Sequence, residues 1–142
     1  MFSGNFEDRY ETARSNLAAN WDSFYANHDN KFFKNRAWLF TEFTNLDPKI
    51  RPDQTVLEIG MGNGSNIIPL IEASQDMPEY RMFGCDFSRK SVEIVQEHEL
   101  VKNSKDKVNI FQHDISTEEE FPFPPNSIDS VIITFVLSGI VI

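Results

Sequence analysis

The sequence of 142 residues contains one cysteine, Cys85, so no disulfide can form within the chain. A reducing compartment is compatible with this count, although the count does not demand one. No apolar run has the length of a membrane span. The first residues, MFSGNFEDRY, lack both the basic start and apolar core of a signal peptide and the Arg-rich pattern of a transit peptide. We therefore predict no membrane segment and no targeting peptide, and we expect a cytoplasmic location by default.

Basic residues are in the minority: 13 Lys and Arg stand against 22 Asp and Glu, which gives a formal net charge of −9. This balance argues against a strongly basic nucleic-acid-binding surface. Binding of nucleic acid through a local basic patch or through a partner is still compatible with it. The length is enough for one domain around one core.

Residue types that bind metals are also sparse. His28, His98 and His113 do not have the spacing of metal ligands, and Cys85 has no His or Cys at such a spacing. We therefore predict no metal site. The simplest interpretation of Cys85 is a small buried residue of a strand.

The clearest motif is the stretch from Thr55 to Gly64, TVLEIGMGNG. Its apolar first half predicts a short buried strand over 55–59, and its glycines predict a sharp turn. From Ile67 onward apolar residues recur at helical spacing, which predicts a helix over about 64–74 that Pro69 bends or limits in its first turn. A strand, a glycine turn and a helix in this order open nucleotide-binding α/β units, in which the glycine backbone closely approaches the ligand.

The spacing of the glycines narrows the interpretation. The motif is E-x-G-x-G-x-G from Glu58 to Gly64, whereas a dinucleotide fingerprint, G-x-G-x-x-G, would have its third glycine at Ser65. The observed spacing resembles motif I of class I S-adenosylmethionine-dependent methyltransferases. Two alternatives stay open: an ordinary glycine-rich turn, and an NAD-dependent dehydrogenase, which the position of the third glycine disfavours.

Further strands are predicted over about 81–85, 107–112 and 128–137, and a helix is predicted from the N-cap Ser88 to near Val101. Alternating strands and helices predict an α/β fold with a parallel sheet and right-handed crossovers. The last strand is almost continuously apolar, which predicts burial on both faces. The segment STEEEFPFPP predicts a loop or a single turn, with its glutamates in solvent.

Ligands bind at the carboxyl ends of parallel strands, and candidate residues follow each predicted strand. Asp86 follows the second strand, where an acid can accept hydrogen bonds from ribose hydroxyls. Asp114 and Ile115 follow the third strand and suit the polar edge and the face of an adenine, and Thr134 lies near the same rim on the fourth. The alternatives are that Asp86 is the N-cap of the next helix and that Asp114 is a turn residue.

The N-terminal part of the chain is dense in aromatic residues. Apolar and aromatic side chains at helical spacing predict a helix over about 8–27, and a second helix is predicted over about 35–45, with Pro48 after its end. The simplest interpretation of this segment is a pair of helices packed on the core.

Five sequence blocks together resemble the methyltransferase-like tRNA 3-methylcytidine methyltransferases, over about residues 20–140. In order, the blocks are WDSFYANHDNKFFKNRAWLFTEF, VLEIGMGNGSNIIPLIE, CDFSRKSVEIVQ, HDI and ITFVLSGI. The resemblance implies a Rossmann-like class I methyltransferase fold and S-adenosylmethionine as the cofactor. It also implies methylation of N3 of a cytidine in the anticodon loop of tRNA, with a protein partner aiding tRNA recognition, and no metal.

The resemblance further implies roles for single residues, although it names no catalytic base. Residues 1–50 would form a helical segment that covers the cofactor, and residues 51–142 a partial Rossmann-like S-adenosylmethionine-binding domain. The implied cofactor contacts are Trp21 and Tyr25 over the cofactor, Gly60 and Gly62 at its methionine part, Asp86 at the ribose, Asp114 and Ile115 at the adenine, and Thr134 beside it. Lys34 and Arg36 would contact RNA phosphates.

The sequence also departs from the family pattern. Asn35 and Ala37 replace an Asp and a His of the family, and Met61 replaces a Cys, which we expect to be tolerated. The family continues after FVLSGI into three more strands, so we expect the chain to be the N-terminal half of such an enzyme: a fragment, a short isoform or an incomplete gene model. A truncated, non-catalytic module that binds the cofactor or a partner is therefore the alternative function, and residues 131–137 are expected to form an exposed, aggregation-prone edge.

Overall fold

A computed structural model of the chain describes residues 39–133. The predicted helix over 8–27 lies outside these residues, as do Trp21, Tyr25, Lys34, Arg36 and Thr134. The elements in chain order are α1 (Leu39–Glu42), a 3-10 turn (Thr44–Leu46), β1 (Thr55–Ile59), α2 (Ile67–Ala73), β2 (Arg81–Asp86), α3 (Arg89–Gln96), α4 (Glu99–Lys102), β3 (Val108–Gln112) and β4 (Ser130–Ile133). None of the helices in this part of the chain is long and apolar enough to cross a membrane.

The four strands form one parallel sheet in the order β3-β2-β1-β4. After β1 the chain builds β2 and β3 on one side, and it then returns to place β4 on the other side of β1. The strand order therefore reverses at β1, which is where ligands bind in open α/β sheets. This arrangement confirms the predicted α/β, Rossmann-like fold.

One face of the sheet packs against the helices and forms the core. Gly84 at the centre of β2 shows how closely the two layers meet: a Cβ on it would lie 2.7 Å from Ile67 Cδ1, 2.9 Å from Ile110 Cδ1 and 2.9 Å from Met61 Sδ. Since real Cβ atoms essentially never come that close to another heavy atom, any larger residue at this position would force the ends of these three side chains to shift. The buried residues of this core include Val56, Met82, Val108, Ile110 and Ile132 from the strands and Ile67, Leu70, Ile71, Val92 and Val95 from α2 and α3.

The opposite face carries five packed rings that we call the aromatic stack: Phe83, Phe111, His113, Phe121 and Phe123. Phe121 and Phe123 come from the loop between β3 and β4, and they pack against Phe111 on β3 and Phe83 on β2. At β4, however, Val131 is 53% exposed and Ile133 is 48% exposed. The prediction that this strand is buried on both faces is therefore wrong for its described residues, because the stack lies over β2 and β3 rather than over β4.

The strands β1, β2 and β3 match their predictions closely, whereas the helices differ from theirs. Helix α2 begins at Ile67 instead of about Gly64, because Gly64 has a φ of 90° and still belongs to the turn. Pro69 is then in the first turn of α2, where a missing N–H removes no helical hydrogen bond.

The helix predicted from Ser88 to near Val101 is divided into α3 and α4. Ser88 is the N-cap as predicted, since its Oγ accepts the Ser91 N–H at 3.2 Å. The division falls at His98, whose backbone is extended and whose Nδ1 accepts the Leu100 N–H at 3.2 Å as the cap of α4.

The segment before β1 differs in a similar way. The described part of the helix predicted over 35–45 ends at Glu42, and the 3-10 turn Thr44–Leu46 follows. The buried Tyr80 donates from its hydroxyl to the Leu46 carbonyl at 2.7 Å and so fastens this turn to the core. Burial, and secondarily the Asp47 carboxylate, raise the pKa of Tyr80 well above its usual value.

Candidate functional site

The residues from Gly60 to Gly64, which we call the glycine loop, connect β1 to α2 directly above the end of β2. Gly60, Gly62 and Gly64 have φ values of 73°, 59° and 90°, in the region that favours glycine. The N–H groups of Gly60 and Met61 both donate to the Cys85 carbonyl, at 2.9 and 3.1 Å. The loop therefore turns sharply where the strand order reverses.

The peptide groups on both sides of Gly62 are held by residues at the end of β2 and in the first turn of α3. Its N–H donates to Asp86 Oδ2 at 3.0 Å, and its carbonyl accepts the Ser91 hydroxyl. The other oxygen of Asp86 accepts the Ser88 N–H at 2.9 Å. Asp86, 7% exposed, thus joins the glycine loop to the start of α3, and because the N-cap is Ser88 the alternative that Asp86 caps this helix is wrong.

A second carboxylate lies beneath the loop. Glu58, on β1, is 1% exposed, and its Oε2 accepts the side-chain amide of Asn66 at 2.7 Å. Asn66 is the residue immediately before α2, so this hydrogen bond fixes the start of the helix against the strand. An acidic residue within an otherwise apolar strand therefore indicates that its carboxylate has a hydrogen-bond partner inside the protein.

A backbone hydrogen bond of the neighbouring residue links Asp114 to the end of β2. The His113 N–H donates to the Asp86 carbonyl at 3.0 Å, so the chain leaves β3 beside the end of β2. The Asp114 side chain closes a turn: its Oδ1 accepts the N–H of Ser116 at 2.9 Å and the Ser116 hydroxyl at 2.6 Å. The turn role that the sequence left open is therefore present, and Ile115 within this turn is half-buried.

Hydrogen bonds link Gly60 and Gly62 to the end of β2, where Asp86 lies. Asp114 and Ile115 lie in the turn after His113, whose N–H donates to the Asp86 carbonyl. The remaining predicted contacts lie outside residues 39–133. Sequence reasoning missed Asn66 and Ser91. A signal for Ser91 exists, since it precedes Val95 by one helical turn and so shares the buried face of α3.

Cys85 is fully buried between these groups, as predicted for a small strand residue. Burial, together with the adjacent Asp86 carboxylate, raises the pKa of its thiol to about 12. At neutral pH the thiol is therefore protonated, which makes it a poor nucleophile. Within residues 39–133 no group of three or more His, Cys, Asp and Glu side chains is arranged to hold a metal ion.

The geometry favours certain ligand chemistry. Carboxylates at the ends of two neighbouring strands accept hydrogen bonds from hydroxyl and amino groups and attract a cation. The glycine backbone next to them offers a surface without side chains. An uncharged sugar with hydroxyls, attached to a positively charged group, matches this combination.

Two curated relatives cover most of this chain. The tRNA N(3)-methylcytidine methyltransferase Mettl2 of Drosophila melanogaster is 39% identical over 126 residues, which span 84% of this chain and 38% of the relative. The tRNA N(3)-cytidine methyltransferase METTL6 of Homo sapiens is 36% identical over 129 residues, which span 85% of this chain and 42% of the relative. The chain therefore spans less than half the length of these two proteins.

Comparison with solved structures and with family models agrees on the fold. The structure of PKMT2 from Rickettsia typhi in complex with AdoHcy superposes with a TM-score of 0.54 at 18% identity, over 75% of this chain and 21% of that one. This likeness concerns the fold of the sheet and its helices. The model of the methyltransferase domain family matches residues 56–141, a range that contains the glycine loop, Asp86 and Asp114. The chain belongs to the methyltransferase domain family.

Proposed function

We propose that this chain binds S-adenosylmethionine at the glycine loop and forms part of an enzyme that methylates N3 of a cytidine in the anticodon loop of tRNA. The observation that carries the proposal is the hydrogen bond between Gly62 and Asp86 at the point where the strand order reverses. Two further facts support it: the chain belongs to the methyltransferase domain family, and the relatives described above are named for this reaction.

The chemistry of the site fits this cofactor. S-adenosylmethionine has ribose hydroxyls, an adenine amino group and a cationic sulfonium, all of which suit a site with two carboxylates. In the proposal Asp86 accepts from the ribose hydroxyls, and Asp114 and Ile115 contact the edge and face of the adenine. Gly60 and Gly62 contact the methionine part, where the lack of a Cβ permits a close approach.

The hydrogen bonding of the loop disfavours the dehydrogenase alternative. A dinucleotide site uses free N–H groups of the glycine loop to bind a pyrophosphate. Here the N–H groups of Gly60 and Met61 donate to Cys85, that of Gly62 to Asp86, and that of Gly64 to Met61 at 3.0 Å. With these four donors bonded inside the protein, the loop is suited to a ligand without phosphates.

When bound, the cofactor supplies a methyl group that is already activated by the sulfonium. The tasks left for the protein are to orient the target nitrogen on the line of the methyl–sulfur bond and to exclude water. A target base in an RNA loop must also be unstacked to reach the methyl group. The described residues contribute the binding and orientation of the cofactor, and we assign no catalytic base among them.

The proposal extends to residues outside the described range. Residues 1–50 would cover the cofactor through Trp21 and Tyr25, with residues 51–142 as the partial cofactor-binding domain. Thr134 would lie beside the cofactor, and Lys34 and Arg36 would contact tRNA phosphates. A protein partner would aid tRNA recognition, which is consistent with the net charge of −9, and the location would be cytoplasmic.

Calorimetry tests the cofactor part of the proposal. The 142-residue chain should bind S-adenosylmethionine and S-adenosylhomocysteine and should not bind NAD. Transfer of a labelled methyl group to tRNA then distinguishes the enzyme from a module that binds the cofactor without transferring it. Binding of NAD in preference to S-adenosylhomocysteine would refute the proposed function.

A further inference from the structure

We propose that Ser91 is a positioning residue for the cofactor: from helix α3 it fixes the orientation of the Gly62 carbonyl and thereby the shape of the glycine loop. This inference rests on the proposed function, because it concerns the same site. It adds a residue that lies on a different element from the loop and that no part of the glycine motif contains.

The first step of the argument is a closed ring of hydrogen bonds. The Gly62 N–H donates to Asp86, and the Ser88 N–H donates to the other oxygen of the same carboxylate. The Ser91 N–H donates to Ser88 Oγ, and the Ser91 hydroxyl donates to the Gly62 carbonyl, which closes the ring. Four residues from the loop, the end of β2 and the start of α3 are thus joined in one cycle.

The second step is that the hydroxyl of Ser91 has a fixed position. Ser91 is fully buried, with 0% of its surface exposed, and it lies in the first turn of α3. The Ser91 N–H donates to the side chain of the cap residue Ser88, so this hydrogen bond fixes the backbone position from which the Ser91 side chain extends. The hydroxyl is therefore anchored to a helix while it holds a loop.

The third step concerns the freedom that this contact removes. Gly62 has a φ of 59°, and glycine populates positive and negative φ about equally well. The N–H contact with Asp86 restrains the peptide before Gly62, whereas the carbonyl belongs to the peptide after it. Without Ser91, that second peptide can rotate more readily, and the backbone between Gly62 and Gly64 is held less firmly.

The consequence differs between the two ends of the ligand. In the proposed site the glycine loop contacts the methionine part, while Asp86 and Asp114 contact the adenosine part. Loss of the Ser91 hydroxyl should therefore weaken S-adenosylhomocysteine, which has the amino-acid part, more than 5′-methylthioadenosine, which lacks it. A general loss of stability would affect both ligands alike.

The test compares Ser91→Ala with Ser74→Ala. Alanine fits the space of Ser91 and is the best helix former, so the variant should fold. Ser74 is a matched control, since it is also fully buried and its hydroxyl donates to the Ile71 carbonyl at 3.3 Å at the far end of α2. By calorimetry, Ser91→Ala should bind S-adenosylhomocysteine about fivefold to tenfold more weakly, the range expected for a lost hydrogen bond. Ser74→Ala should bind it like the wild type.

Amide hydrogen exchange of the chain without ligand gives a second readout. Exchange at Gly62 should be faster in Ser91→Ala than in the wild type, and unchanged in Ser74→Ala, because only the first variant opens the ring of hydrogen bonds. Wild-type affinity in Ser91→Ala, or equal losses for the two ligands, would overturn this inference and leave the proposed function standing. A wild-type chain that binds neither ligand would overturn both.

Discussion

The backbone N–H of His113 donates to the carbonyl oxygen of Asp86 at 3.0 Å, which ties the exit of β3 to the end of β2. This one hydrogen bond places the second candidate carboxylate, Asp114, directly after a residue bonded to the first. Gln112 strengthens the same junction, because its side-chain amide donates to the Phe87 carbonyl at 3.0 Å. The proposed contacts to ribose and adenine therefore depend on a rigid joint between two strands.

Asp86 is the side chain whose removal should affect binding most. Asp86→Ala should weaken S-adenosylhomocysteine by ~1–3 kcal/mol, the usual range for hydrogen bonds to a charged group. It should also lower the melting temperature, since the carboxylate accepts the N–H groups of Gly62 and Ser88. Asp86→Asn keeps one acceptor oxygen and so should retain more stability. Calorimetry measures the affinity and thermal unfolding the stability. Asp76→Ala is the control, since Asp76 is exposed. Unchanged affinity in Asp86→Ala would remove this residue from the site.

The aromatic stack should stabilise the loop after Asp114. Phe121 stacks on His113 with ring centroids 4.1 Å apart and on Phe123 at 5.1 Å. Phe121→Ala should lower the free energy of unfolding by about 2 kcal/mol, through lost apolar burial and lost ring contacts. Phe43→Ala is the matched control: Phe43 is 60% exposed, so its loss should change stability by less than about 0.5 kcal/mol. Urea unfolding compares the two, and equal effects would show that the stack adds nothing to stability.

Cys85 should make stability depend on alkaline pH. Its pKa is raised from an ordinary value of 9.0 to about 12, so the folded state keeps a proton that the unfolded state loses above pH 9. The contribution of the protonated Cys85 thiol to the free energy of unfolding is therefore fully present below pH 9 and is lost as the pH rises to about 12. Urea unfolding across this range should show a smaller decline in Cys85→Ala than in the wild type. Rapid reaction of the native thiol with a disulfide reagent at pH 8 would contradict the buried, protonated state.

The sequence predicts the local elements better than the contacts between them. Strands β1 to β3 follow from short apolar runs bounded by turn residues, and Ser88 follows from its preference as an N-cap. The start of α2 is shifted because the positive φ of Gly64 depends on the packing of the turn. The hydrogen bond from Gly62 to Asp86 joins residues on different elements, so it cannot be predicted from the sequence pattern of either element alone. The same holds for Ser91, whose burial is predictable from helical spacing while its partner is not.

The outer edge of β4 offers the last prediction. In the described part of the chain β4 pairs with β1 alone, and Val131 and Ile133 are each about half exposed. An exposed edge strand with apolar side chains promotes association with other chains, and a charge on it opposes this. Ile133→Lys should therefore reduce self-association of the 142-residue chain in sedimentation experiments, at little change in stability.

The neighbouring residue supplies the control for this edge. Ile132 is 6% exposed and belongs to the core, so Ile132→Lys should destabilise the fold by about 3 kcal/mol or more, because it buries an unpaired charge. The two variants add the same charge one residue apart, on opposite faces of one strand. If Ile133→Lys destabilised the fold as much as Ile132→Lys, the face that bears Ile133 would be buried in solution and the edge would not be free to associate. A wild-type chain that sediments as a monomer at all concentrations would likewise contradict association through β4.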